Sequence, residues 1–476
     1  MNFHRDQDTI CAVSTPPGRG GISVVRVSGK KSWSTVRAFL KTLPSEGESH
    51  KAYFGLFKSG DETIDEVLVT YFAHGRSFTG EETCEISCHG SPVVVSEILR
   101  CLTNAGLRSA DRGEFTYRAF MNNRIDLVQA ESIVSMIESQ SLAASKQAAR
   151  QLQGGLSHLI ERIESSLTWC LAHIEAGIDF ATENLEYVSN DVLVQKLTQI
   201  AAEIEGLAGT FRSGRLVREG VKIALIGAPN VGKSSLLNCL MGEERAIVTE
   251  IAGTTRDVIE DSFSHEGLQI KVLDTAGIRE SIDRVETLGI ERSLRASKEA
   301  DLCLFVFDHS NPKDWSEPKT LDLLRTRAQD ALIIFNKADT ADQNLQQLTD
   351  AFEGTLRASK IFSNEEMKHV FSGSKIVFIS ALDKRSAGVL KSAIYNHLLV
   401  SGFEDSSLVS HARQFELLSS AGRQIRVATE SLERDLGAEF VALELKESLM
   451  SIQQILGKSF DDQIMDRVFK EFCIGK

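Results

Sequence analysis

The sequence predicts a multidomain α+β protein: an N-terminal α+β domain, then an all-helical domain split in two by an inserted α/β domain. Three observations predict it. The first 120 or so residues alternate short β-rich runs with glycine and proline; two later stretches carry helical spacing; and the stretch between them alternates short, wholly apolar runs with helical segments. At 476 residues the chain exceeds what one hydrophobic core organises.

In the N-terminal part, residues 21–29, 65–72 and 83–90 read as strands and 92–106 as one helix entered at Pro92. From Leu127 to about Ile178 apolar residues step by three and four through Leu152, Leu156, Leu159, Ile163, Leu167, Leu171 and Ile174. That spacing predicts a long amphipathic helix or a helical pair. Around Gly220 the pattern changes to continuous apolar runs at 221–227, 270–274, 301–308, 331–337 and 375–382. Buried parallel strands joined by crossover helices are expected there. After about Val400 the chain reads as helix. The expected divisions are 1–123, 124–218, 219–398 and 399–476, the second and fourth being halves of one helical domain.

Composition narrows the function. With 42% hydrophobic and 25% charged residues the chain is of the soluble globular class. No segment approaches about 18 continuous apolar residues, so no membrane span is expected. The first ten residues lack the pattern of a secretory signal, and a cytoplasmic location is expected. A net charge of −13 argues against a broad basic surface gripping nucleic acid. Residues 1–124 hold 15 Lys and Arg against 14 Asp and Glu, so the acidity lies downstream and any RNA contact needs a local patch or a partner. Eight cysteines in so long a chain make no disulfide framework. Cys84, Cys88 and His89 lie on a strand-like run with no second ligand pair nearby, and read as core residues rather than a zinc site.

The inserted segment carries the chemistry. Gly227-Ala-Pro-Asn230-Val231-Gly232-Lys233-Ser234 fits G-x-x-x-x-G-K-[ST], follows a strand and opens a helix that begins Ser234-Ser235. Glycines let backbone N–H groups curl round phosphates, Lys233 sets its ammonium on the β and γ oxygens, and Ser234 offers a hydroxyl to Mg2+. Asp274-Thr275-Ala276-Gly277 closes the next run, where the carboxylate holds Mg2+ through water and the glycine N–H senses the γ-phosphate. Asn336-Lys337-Ala338-Asp339 ends another strand; the carboxylate there accepts from guanine N1–H and its 2-amino group, which adenine does not match. Ser380-Ala381 ends the last strand and would add a backbone N–H to guanine O6. All four motifs, in this order on four strand ends, predict a GTP-hydrolysing P-loop G domain. Thr249 to Asp257 falls where switch I belongs, with Thr255 as second hydroxyl on Mg2+. Ile278 stands where Ras-like enzymes carry a water-orienting Gln, so catalysis comes from elsewhere. The acidic run holding Glu280, Asp283 and Glu286 offers carboxylates, although by itself it reads more simply as a solvated loop.

With these residues in place, the chain resembles the MnmE (TrmE) family of tRNA-modification GTPases from end to end. The resemblance is carried by Thr15-Pro-Pro-Gly-Arg-Gly-Gly21, Phe78-Thr-Gly-Glu81, His89-Gly90, Arg112-Gly-Glu-Phe115, Asp126-Leu-Val-Gln-Ala-Glu131, Ala252-Gly-Thr-Thr-Arg-Asp257, Asp274-Thr-Ala-Gly-Ile-Arg-Glu280 and Phe472-Cys-Ile-Gly-Lys476. It implies a folate-binding, dimerising N-terminal domain and hydrolysis switched on when two G domains of a homodimer meet. It also implies K+ in place of an arginine finger, held by Asn230, Thr249, Ile251 and Thr254, the two threonines belonging to the GTP site as well. Glu286 becomes the catalytic glutamate. Arg26, Glu85 (with Glu81 as the alternative), Arg124 in place of an expected lysine, and Lys476 would contact a one-carbon tetrahydrofolate derivative, and Cys473 would join the one-carbon chemistry. A prenylation reading of Cys473 is disfavoured by Lys476 as the final residue. The partners implied are an MnmG-like flavoprotein and tRNA modified at C5 of the wobble uridine. The alternative is a regulatory ribosome-assembly GTPase without folate chemistry; an ATP-driven enzyme is opposed by Asp339.

Overall fold

The computed structural model describes residues 8–179, 188–242, 261–273, 294–340, 345–371, 375–383, 385–398, 408–459, 465, 468–470, 472, 474 and 475. The chain divides into two compact units, one of Met1–Ile137, Ala149–Glu205 and Glu416–Lys476, the other of Glu138–Ala148 and Gly206–Phe415.

In the first unit, strands β1 (Ile10–Val13), β2 (Gly20–Ser28), β3 (Lys51–Ser59), β4 (Glu62–Phe72), β5 (Thr83–Gly90) and β6 (Arg108–Ser109) form a sheet of order β3-β4-β5-β2-β1-β6. All pairings are antiparallel except β1 with β6. Strand alternation puts Val25, Val27, Cys84, Ile86 and Cys88 on one face, where Trp33, Val36, Ile98 and Leu102 from helices Ser32–Phe39 and Pro92–Asn104 close the core. The sequence reading has one helix here; Ser32–Phe39 and Glu114–Met121 are further ones. Each has eight residues, about two turns, too short for a sustained periodic signal.

The stretch expected as one helix or a pair forms three: Leu127–Glu138, Leu142–Leu152 and Gly155–Asp179. Ser141 starts the second, its Oγ accepting the Ala144 N–H at 3.1 Å. Gly154, with φ 88°, ends it. Helix Gly155–Asp179 packs along helix Ala438–Leu456, burying Ile160, Ile163, Leu167, Leu445 and Ile452. At the rim Lys446 pairs with Glu175 and Lys458 with Glu164, both at 2.7 Å. Ser448 Oγ donates to the Ala421 carbonyl at 3.2 Å, tying in helix Ala412–Glu433.

In the second unit, strands β7 (Val221–Ile226), β8 (Asp261–His265), β9 (Leu268–Val272), β10 (Leu302–Asp308), β11 (Ala331–Asn336) and β12 (Ile376–Phe378) form a sheet of order β12-β11-β10-β7-β9-β8. The parallel strands expected are there, and β8 is an antiparallel edge on β9. Their hairpin turn, Glu266-Gly267, has positive φ at both residues. Every residue of β10 and β11 is buried. Leu236, Leu240, Leu390 and Ile394 cover one face of the sheet, and Trp315, Leu321, Leu324 and Phe352 the other. The first part of helix Leu142–Leu152, expected within the helical domain, packs here: Ala144 lies in this core and the Ala143 N–H donates to Gly267 O at 3.2 Å. Among the described residues, no helix is long and apolar enough to cross a membrane.

Candidate functional site

The P-loop lies off the carboxyl end of β7, the edge where open α/β sheets take ligands. Asn230 and Gly232 have φ of 65° and 96°, and helix Lys233–Met241 begins at the next residue. Such a turn at a helix start gathers backbone N–H groups into an anion-binding hollow. Lys233 Nζ donates to the carbonyls of Gly227 and Ala228 at 2.7 and 2.8 Å. Burial pushes its pKa down, with the Glu317 carboxylate pulling the other way. Two neutral carbonyls compensate a desolvated ammonium weakly, so the residues present fit a phosphate bound beside it. Ser234 is half-buried and Ser235 exposed on the first helical turn.

One buried side chain fastens three motifs together. Asn336, 2% exposed, donates through Nδ2 to Val231 O at 2.9 Å, and its Oδ1 accepts the Ala381 N–H at 3.0 Å. Gly232 is what lets that amide approach: a Cβ there would lie 2.1 Å from Asn336 Nδ2. The Ala338 N–H donates to Ile379 O at 3.0 Å, and Leu382 N–H to Ser380 Oγ at 3.3 Å. The structure thus brings the P-loop, Asn336 and the Ser380-Ala381 turn together, with Asp339 exposed on the short 3-10 turn Ala338–Thr340. Thr249, Ile251, Thr254, Thr255, Asp274, Thr275, Ala276, Gly277, Glu286, Cys473 and Lys476 lie outside the described residues.

A second polar site occupies the other face of the N-terminal sheet. Arg26 on β2 and Glu85 on β5 are register partners, and Arg26 Nε meets Glu85 Oε1 at 2.9 Å. The guanidinium sits 5.6 Å from the ring centres of both Phe78 and Phe115. Arg26 and Glu85 remain 20% and 29% exposed, so the pair is reachable. Exposed Arg124 passes by the Phe78-Thr79-Gly80 turn, its Cγ 3.2 Å from where a Gly80 Cβ would be, and Asn122 Nδ2 donates to Thr79 O at 2.7 Å. Glu81 instead joins a structural network: Arg118, 8% exposed, bonds Glu81, Asp8 and Glu114, and Arg108 bonds Asp8 and Glu114. Cys84 and Cys88 lie in the core, where burial pushes the Cys88 thiol up to about 11.

The end of the chain is built into the same unit. Phe469 and Phe472 pack with their centroids 5.5 Å apart, Ile474 forms an antiparallel bridge with Arg112, and Ser14 Oγ donates to Gly475 O at 3.0 Å. Gly475 has φ 92°, and a Cβ there would lie 1.8 Å from Val13 O.

Sequence reasoning missed Asp308, which ends β10 and holds Lys337 Nζ at 2.5 Å. Its signal was an Asp closing an apolar run, as at Asp274, without a motif around it. Phe78 and Phe115 were noted inside longer motifs, but not as the walls of an arginine site.

Two family models match: the MnmE helical domain over residues 127–473 and the N-terminus of the GTP-binding protein TrmE over residues 9–124. The chain is 49% identical to the tRNA modification GTPase MnmE of Bdellovibrio bacteriovorus over 476 residues, 99% of this chain and 98% of that one. It is 37% identical to the proteins of the same name from Natranaerobius thermophilus and Pseudothermotoga lettingae, over 99% and 98% of this chain and the whole of each relative. Matches of this extent and identity, on a chain whose P-loop and guanine-type loop are physically joined, show that it belongs to the MnmE family of tRNA-modification GTPases.

Proposed function

We propose that this protein is a potassium-dependent GTP hydrolase that, with a flavin-dependent MnmG-like partner, modifies C5 of the wobble uridine of certain tRNAs, using a one-carbon tetrahydrofolate derivative. The product is a carboxymethylaminomethyl-type group. The observation that carries the GTP reading is the Asn336 amide, which sets the P-loop and the guanine-type loop in one rigid frame. Within it, Lys233 neutralises phosphate charge and Asp339 selects guanine. Ser234 and Thr255 would hold Mg2+. Asn230, Thr249, Ile251 and Thr254 would hold K+, which when bound supplies positive charge against the phosphates. Glu286 orients water, which accounts for Ile278 in the Gln position.

The folate reading is supported by the Arg26–Glu85 pair between two aromatic rings and by Arg124 beside the same turn: a cation, a carboxylate and flat apolar walls suit a pterin with its glutamate tail. Anchored Phe472, Ile474 and Gly475 support a role for Cys473 and Lys476 there. Exposed Phe54, Leu56 and Leu68 on β3 and β4 support the homodimer. We assign the protein to the cytoplasm and keep the domain division at 123, 218 and 398.

Steady-state GTP hydrolysis in KCl and in NaCl at equal ionic strength tests the G-domain mechanism. Activity in KCl well above that in NaCl is expected, with Glu286→Ala abolishing it while nucleotide still binds. Equal rates in the two salts would remove the potassium site.

A further inference from the structure

Asp308 closes β10 and is the register neighbour of Asn336, so it stands beside the first residue of the guanine-type loop. Lys337 follows in the left-handed region, with φ 65°, a conformation sparsely populated by side chains of its kind. Its Nζ meets Asp308 Oδ2 at 2.5 Å, the carboxylate 9% exposed and the lysine 42%. The other oxygen, Oδ1, accepts from Ser310 N–H at 2.9 Å and Ser310 Oγ at 2.6 Å. The Asp308 carbonyl accepts the indole N–H of buried Trp315 at 2.8 Å. Both oxygens of this carboxylate are thus directed: two bonds from Ser310 fix Oδ1, and the Trp315 bond fixes the backbone that carries it. Burial pushes the Asp308 pKa up, but the bonds from Lys337 and Ser310 outweigh it and hold the carboxyl below the usual range.

We propose that Asp308 is a positioning residue of the nucleotide site: it presets Lys337 by its ammonium, so that the lysine's methylene stem rather than its charge meets the guanine nucleotide. The inference rests on reading residues 336–339 as the guanine site. A lysine left free in solvent loses rotamer freedom when it engages a ligand; one already held does not. Asp308 therefore acts on affinity for GTP and GDP alike, because both carry the base, and not on the chemical step.

The test is titration of full-length protein with fluorescent GDP and GTP analogues, alongside kcat at saturating GTP. Asp308→Asn is expected to weaken both nucleotides by about ten-fold, the scale of one long side chain's ordering, with kcat unchanged. Lys337→Met, at a half-exposed side chain, is expected to show a similar loss, and adding Asp308→Asn to it no further loss. Thermal melts report that the fold is kept, which is expected because the Trp315 indole bonds the backbone carbonyl of Asp308 and not its side chain. Unchanged affinity in either single variant, losses that add in the double variant, or a fall in kcat with affinity intact would each overturn the proposal. Competition separates this from the site reading: if ATP displaces the probe as well as GTP does, the guanine reading fails and the inference with it. If only GTP competes and Asp308→Asn binds normally, the inference alone fails.

Discussion

Asn336 serves two partners with one amide, and its burial makes both bonds matter. Removing the side chain leaves the Val231 carbonyl and the Ala381 N–H without these two bonds in a dry setting. Asn336→Ala is therefore expected to cost about 1–3 kcal/mol of stability, and to weaken GTP binding, as thermal melts and nucleotide titration would show. The motif was legible in the sequence, but this use of it was not: the side chain reaches back 105 residues to the P-loop. Arg118 shows the same limit, since no local pattern tells that one arginine meets Asp8, Glu81 and Glu114. Burial pushes the Asp8 and Glu114 carboxyls up, but the bonds and charges of Arg108 and Arg118 outweigh it and hold both below the usual range. Their stabilising contribution is complete above the ordinary carboxylate pKa of about 4 and is lost as pH falls through the depressed native values. Arg118→Met removes one of the two guanidiniums that serve buried Glu114 and partly exposed Asp8, and the partner of partly exposed Glu81, and is expected to cost about 1–3 kcal/mol at neutral pH. The difference from the unaltered protein should shrink as the pH is lowered below about 4, which denaturant melts at a series of pH values would record.

At the scale of elements, continuous apolar runs gave the strands of the α/β sheet because β10 and β11 are buried on both faces, a condition that writes itself into composition. Helices of two turns did not show, and neither did the break at Gly154, since one helical phase carries across it closely enough to read as continuous. The tail was legible only as a motif. Its geometry turns on Gly475, whose backbone passes so close to Val13 that any Cβ would collide. Gly475→Ala is expected to release the chain end, seen as faster amide exchange at Ile474. Wobble-uridine modification should fall while GTP hydrolysis keeps its rate. A tail that stays protected would show that the close approach relaxes at little cost.

For the whole molecule, the order of segments was readable because each has its own period: two for the N-terminal sheet, near 3.6 for the helices, and unbroken apolar runs for the inserted sheet. What sequence could not divide was residues 138–148, which carry helical spacing like their neighbours yet pack with the α/β unit. One chain thus carries a nucleotide site and, on a separate sheet, an arginine–carboxylate site, and the central claim is that both serve a single reaction on tRNA. The measurement that tests it most directly is the mass of the wobble nucleoside after undermodified tRNA is incubated with this protein, an MnmG-like flavoprotein, GTP, a one-carbon tetrahydrofolate derivative and an amine donor such as glycine in KCl. The account predicts, with glycine, the mass increase of a carboxymethylaminomethyl group, which disappears when GTP or the folate is withheld. An unchanged nucleoside in the complete mixture, with GTP turned over throughout, would contradict it.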